Sequence, residues 1–200
     1  PLALSMVGVY ALSPVLAKIL GPIVTPVYKL FGADPAMFAG TLLANDMGGW
    51  PLAQAMTDNP DAQRLSGLIL GAMMGATVVF TIPVALGIIG KEDRPFLAKG
   101  VLAGIVTIPI GVLVSGAAAG MPMGFVAVNT IPIVLTAALI AFGLWRAPDA
   151  MTKGFLAFGK GLVFVISIGL VIGVFETVTG VKIMPAGWEL LPVADGIAIV

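Results

Sequence analysis

The sequence contains no cysteine and no histidine. That excludes disulfides, thiol nucleophiles, Ser-His catalytic arrangements and the commonest metal ligands within this chain. A metal held by carboxylates alone would need clustered acids, and the acids are scattered, so no metal and no cofactor are expected. Charge is also scarce. Charged residues make up 10% of the chain, with ten basic and ten acidic side chains, against about a quarter in a soluble domain. The net charge of zero and the pI near 6.8 leave nothing to attract nucleic acid. No glycine-rich phosphate loop ending in Gly-Lys-Ser/Thr is present, which disfavours an ATP-driven pump within this chain.

What remains is apolar. Of 200 residues, 59% are hydrophobic, and the mean hydropathy is +1.11. Too few charges are available to cover a water-facing surface, whereas the same surface suits lipid. Apolar runs near 1–20, 66–90, 96–119, 124–145 and 154–175 approach or exceed the ~20 residues a helix needs to cross a bilayer. The sequence therefore predicts an all-α, multi-pass integral membrane protein forming one transmembrane domain over 1–200, with helices broken by proline and glycine. The chain begins at Pro1 and ends at "ADGIAIV", both inside apolar runs, and so reads as a piece of a longer protein.

The connections give a sidedness. Lys91 and Arg94 lie in 91–95 and Arg146 and Lys153 in 146–153, whereas 120–124 has no basic residue. The positive-inside rule puts the first two in the cytoplasm and 57–65 and 120–124 outside. Trp145 and Trp188 suit interfacial belts. Gly21, Pro22, Pro26 and Gly32 predict that the first span ends near Leu20, with an irregular piece after it. "TIP" recurs at 81–83, 107–109 and 130–132; each proline frees a carbonyl one turn back, which the nearby threonine hydroxyl could take up. Glycines four apart (Gly67, Gly71, Gly75; Gly100, Gly104; Gly169, Gly173) form the small-xxx-small pattern of close helix approach.

One segment departs from this plan. "FAGTLLANDMGGWPLA" at 38–53 sets a single carboxylate, Asp46, among apolar and small residues. The apolar part is too short to span, which predicts a half-helix or re-entrant segment near 35–48, capped by Asp34 with Pro35 in the first helical position and stopping at Gly48-Gly49. A charge at mid-bilayer costs on the order of 2.5–3.5 kcal/mol. No basic residue lies in the same segment, and a carboxylate in a cavity without a fixed partner suits a mobile cation. Gly48 and Gly49 allow close backbone approach, Asn45 and Thr41 can bond a hydroxyl, and the Trp50 ring can face an ammonium. Asn129 is a further polar candidate at apolar depth, although such a residue more often bonds a neighbouring helix. The plain alternative for Asp46 is a turn residue at the headgroups. Lys18 reads as snorkelling, and Lys160 as a deeper charge that could line a path.

The blocks "ADPAMFAGTLLANDMGGWPLA" at 33–53, "SGLILGAMMGATVVFTIPVALGII" at 66–89 and "GVLAGIVTIPIGVL" at 100–113 resemble the ethanolamine permease family of the bacterial ethanolamine-utilization operon, the EutH family. The resemblance implies a multi-pass protein of the bacterial inner membrane, about twice this length, that brings ethanolamine into the cell. Ethanolamine is mostly an ammonium ion at neutral pH and carries one hydroxyl, so it matches the group drawn from the residues: Asp46, Asn45, Thr41, Gly48, Gly49, Trp50 and Asn129. No catalytic residue is implied, and the expectation is a transporter rather than an enzyme. The partners expected are ethanolamine and membrane lipid, with a homo-oligomer left open. The competing readings are a transporter of another small amine or cation, and an intramembrane enzyme acting on lipid, which one buried aspartate without histidine or cysteine supports thinly.

Overall fold

The computed structural model describes residues 2–90 and 92–199. Pro1, at the start of the first expected span, lies outside them, as do Lys91 and the side chain of Arg94, two of the charges behind the expected sidedness. Among the described residues the regular structure is entirely helical. Five helices are long and apolar enough to cross a membrane, over Val7–Lys29, Pro60–Thr81, Pro95–Ala118, Met123–Arg146 and Lys153–Thr179.

Helix α1 runs Leu2–Lys29, with Pro14, Pro22 and Pro26 inside it. It does not end near Leu20 as the breakers suggested. A proline removes one backbone bond, but ending the helix in apolar surroundings would strand several. At Pro14 the loss is made good locally: the Ser13 hydroxyl, fully buried, lies 2.6 Å from the Tyr10 carbonyl oxygen, the acceptor one turn before the proline. Lys18 consequently sits in the body of α1. Its ammonium donates to the Gly187 carbonyl at 2.6 Å and stands 5.2 Å from the Trp188 ring centroid, so both residues bind α1 to the segment before α9 (Val193–Ile199).

Three short pieces follow: α2 (Met37–Leu42), a 3₁₀ turn (Asn45–Met47) and α3 (Gly49–Met56). The next rod is continuous from 60 to 88. It starts as α4 (Pro60–Gln63), widens into π-helical turns over Arg64–Gly75 and Thr77–Thr81, and returns to α geometry as α5 (Ile82–Ile88). We call it the wide helix. Its N-terminus is capped by Asn59, whose Oδ1 accepts from the N–H groups of Asp61 at 3.0 Å and Ala62 at 3.3 Å. Then come α6 (Arg94–Ala118), α7 (Met123–Arg146) and α8 (Pro148–Thr179), which ends at Gly180 with φ +70°.

The wide helix is central. Half of its candidate span is buried within the chain, against 17% for α8. Its Leu65, Leu70 and Met74 join Ile105 and Val112 of α6 and Val126 and Ile133 of α7 in the larger core, while Leu43 and Leu52 of the broken segment meet Val9 and Ile166 in a second. Of the glycine stripes, Gly67, Gly71 and Gly75 face the broken segment, and Gly169 faces Leu12. Gly100 and Gly104 face nothing within 4 Å; spacing shows that a small face exists, not what covers it. The TIP prolines lie inside helices, but the hydroxyls of Thr81, Thr107 and Thr130 bond the carbonyls of Ala76, Gly104 and Val126. None reaches Val79, Ile105 or Val128, the carbonyls the prolines free.

Candidate functional site at the tip of a broken hairpin

Residues 34–57 form a hairpin of two short helices laid along the wide helix. The ingoing arm is held by Ser66, fully buried on the wide helix, whose hydroxyl accepts the Gly40 N–H at 3.0 Å and donates to the Ala36 carbonyl. Farther in, a side chain at Gly75 would collide with the Leu43 carbonyl, and one at Gly71 would come within 3.0 Å of the Asn45 nitrogen. On the way back, Gly67 leaves room for Trp50 and Ala53. The glycine stripe is thus a groove that seats backbone. At the base the two ends meet: Thr57 donates to Asp34 Oδ2 at 2.8 Å. Asp34 Oδ1 accepts the Ala36 N–H at 2.9 Å, which closes the turn before α2, but Asp34 is not the cap and Pro35 not the first helical residue: α2 begins at Met37, with Ala36 in the capping position and no side-chain cap.

Backbone geometry makes the break. The chain leaves α2 through extended Leu43 (φ −115°, ψ 136°) and Ala44 (φ −62°, ψ 151°), makes the 3₁₀ turn, and reverses at Gly48 with φ +96°. Only glycine is comfortable there, and a Cβ would also overlap Val9. A Cβ at Gly49 would lie 2.6 Å from the Leu43 oxygen. The Gly49 N–H donates to Ala44 at 2.8 Å. The first half-helix therefore stops at Leu42, not at Gly48-Gly49; the glycine pair opens α3 instead.

The tip gathers Asn45, Asp46, Gly48 and Gly49. Asp46 is exposed and has neither hydrogen bond nor ion pair among the described residues, where the single salt bridge joins Arg64 to Asp61 at 2.5 Å. Trp50 adjoins the tip but packs against Gly67. Thr41 is buried, and its hydroxyl donates its one proton to the Met37 carbonyl at 2.7 Å. Asn129 lies at the other end of the hairpin. Its Oδ1 accepts the Asp34 N–H at 2.7 Å and its Nδ2 donates to Phe125 at 2.9 Å. It bonds a neighbouring segment, the plain reading of such a residue, and falls outside the group at the tip. The Asp34–Thr57–Asn129 junction is the feature that sequence reasoning missed; only the Asp34-Pro35 pair marked it, as a cap. Lys160 is exposed and lines none of the cavities described here.

The family model described as "Ethanolamine utilisation protein, EutH" matches residues 1–200. The chain belongs to the EutH family. It is 58% identical over 199 residues to the "Probable ethanolamine permease EutH" of Listeria monocytogenes, covering 100% of this chain and 52% of that protein. It is 52% identical over 185 residues to YxeR of Bacillus subtilis, covering 92% and 50%, and 51% identical over 209 residues to the "Probable ethanolamine permease EutH" of Escherichia coli K12, covering 98% and 50%. The chain thus spans about half the length of the curated relatives it matches. No solved structure matches it. Membership of the family and the five span-length helices together make this a membrane protein.

Proposed function

We propose that the chain forms part of a permease that takes ethanolamine into the cell across the bacterial inner membrane, and that Asp46 receives the substrate ammonium. The observation that carries this reading is a carboxylate at the tip of a glycine-hinged hairpin, seated part-way along a span-length helix, with no cation of the described chain to neutralise it. Asn45 beside it offers an amide to the hydroxyl, and Gly48 and Gly49 keep the backbone bare enough for a small ligand to approach. The relatives' printed name, probable ethanolamine permease, supports the choice of amine.

The test is uptake of labelled ethanolamine by proteoliposomes carrying the full-length protein, wild type against Asp46→Asn, at mildly acidic pH where the membrane-permeant free base is scarce. Hydrogen bonds to charged groups contribute about 1.5–3 kcal/mol, so apparent affinity should fall roughly 10- to 150-fold. Wild-type uptake no higher than in empty vesicles refutes the permease reading. Unchanged affinity and rate in Asp46→Asn refute only the role of Asp46.

A further inference from the structure

At the base of the hairpin, opposite the tip, a cavity of about 470 Å³ is lined by Lys29, Gly32, Ala33, Asp34, Pro35, Asn59, Phe125, Val128 and Asn129. Its size falls within the ~300–1,000 Å³ of small-molecule sites. It contains one side chain of each charge. Lys29, the last residue of α1, is exposed, and Asp34 is half-buried; no salt bridge joins them among the described residues. Each oxygen of Asp34 accepts one bond, from Ala36 or from Thr57, while a carboxylate has about four acceptor positions. The cavity therefore offers a cation and a carboxylate with spare acceptor capacity, held apart, beside the amide of Asn59 and the Phe125 ring.

The surroundings are apolar and uncovered. Beside Lys29, Val27 of α1 is 49% and Leu30, just past its end, 82% exposed; on α7, Val128 is 37% and Ile131 43% exposed. These residues lie where two span-length helices end, so a cavity holding both charges opens beside apolar side chains that this chain leaves exposed. A lone ammonium would meet Lys29 as well as Asp34, and a lone phosphate the reverse. A molecule carrying both groups would pair with both.

We propose that this cavity binds the zwitterionic phosphoethanolamine headgroup of a membrane lipid, its phosphate on Lys29 and its primary ammonium on Asp34, with the acyl chains along Val27, Leu30 and Ile131. The site is separate from the tip and makes the hairpin base a lipid-bound junction of α1, the hairpin and α7. Primary amines donate hydrogen bonds that a quaternary headgroup cannot, so phosphatidylethanolamine is favoured over phosphatidylcholine as well as over anionic lipids.

Native mass spectrometry of the purified full-length protein titrated with phosphatidylethanolamine, phosphatidylcholine and phosphatidylglycerol tests this. Phosphatidylethanolamine should be retained most strongly. Lys29→Gln and Asp34→Asn should each weaken it by roughly tenfold or more, and Asp46→Asn should not. Lys29 is an exposed helix-end residue, so its variant keeps the test open if Asp34→Asn folds poorly. Equal retention of the three lipids, or an unchanged affinity in Lys29→Gln, overturns the proposal. Displacement of the lipid by equimolar glycerophosphoethanolamine or by ethanolamine would show that the cavity takes a free solute, which refutes the lipid as its occupant. Because lipid binding is read without transport, a negative result here leaves the uptake experiment to stand or fall separately.

Discussion

Alanine placed at Gly75 puts a methyl group into the Leu43 carbonyl. The obstacle is backbone, not the end of a flexible side chain, so the hairpin tip or the wide helix must move. Gly71 is the milder case, with the Asn45 nitrogen 3.0 Å from the new atom, and Gly104 is the control, with nothing within 4 Å. Each substitution gains the helix preference of alanine over glycine, about 1 kcal/mol. Differences within the series therefore isolate the clash. Overpacking costs about 1–3 kcal/mol, and the Tm shift per kcal/mol shrinks with size, so for the longer full-length protein it lies below the ~2–4 °C of a 150–250-residue unit. Gly75→Ala should melt below Gly104→Ala by up to several degrees, Gly71→Ala should fall between them, and Gly104→Ala should match or exceed wild type. Thermal unfolding of the full-length protein in one detergent supplies the ranking, and uptake in proteoliposomes shows whether the displaced tip still works. If Gly75→Ala melts with Gly104→Ala and transports normally, the hairpin does not rest on the glycine groove.

Two further outcomes follow from single contacts, and a third from the distribution of charge. Ser66→Ala removes the buried hydroxyl that bonds the Gly40 N–H and the Ala36 carbonyl and should destabilise the fold by about 0.5–1.5 kcal/mol per bond lost, read as a fall in Tm; an unchanged Tm would mean the ingoing arm is held otherwise. Thr57→Val removes the tie to Asp34 while keeping the side-chain shape, and should speed hydrogen exchange at 34–37 and 55–58 without changing exchange in α6; equal rates would show the tie to be dispensable. Single cysteines at Asp93 and Gly124, both exposed, in this cysteine-free sequence should label from the cytoplasmic and outer faces respectively; labelling of both from one face rejects the charge-derived sidedness.

The broken segment was legible because its residues are costly elsewhere: Asp46 in an apolar run, Gly48-Gly49 beside it, and Asp34-Pro35 at its entry. The same residues did not show that the chain resumes as a helix at once and returns to its starting point, since that depends on Thr57 meeting Asp34 across 23 positions. Proline in α1 misled for a related reason. The rule that prolines stop helices is drawn largely from segments where water takes the freed groups; Ser13 does so at Pro14, whereas Pro22 and Pro26, which suggested the early end, stay inside α1 with no side chain among the described residues bonding the carbonyls they free. The glycine stripes were read correctly on the wide helix and at Gly169, but not at Gly100 and Gly104, because periodicity describes one face of one helix and is silent about the partner. Asn129 entered the candidate group on chemistry alone, against the commoner reading of such an amide as a bond to a neighbouring helix; the fold shows that commoner bond, to Asp34.

The hairpin's support has a consequence for how the chain is made. Synthesis proceeds from the N-terminus, so 34–57 emerges before the wide helix that supplies Ser66 and the glycine groove. Until that helix arrives, the interrupted backbone around Leu43 and Ala44 has no surface to lie on, and lipid offers nothing to bond its free groups. The segment must therefore wait at the membrane edge. It carries a single charged side chain between Asp34 and Asp58, and its joined ends mean that no flanking polar stretch has to be translocated. It can settle from one face once the wide helix is in place, out of its order in the chain.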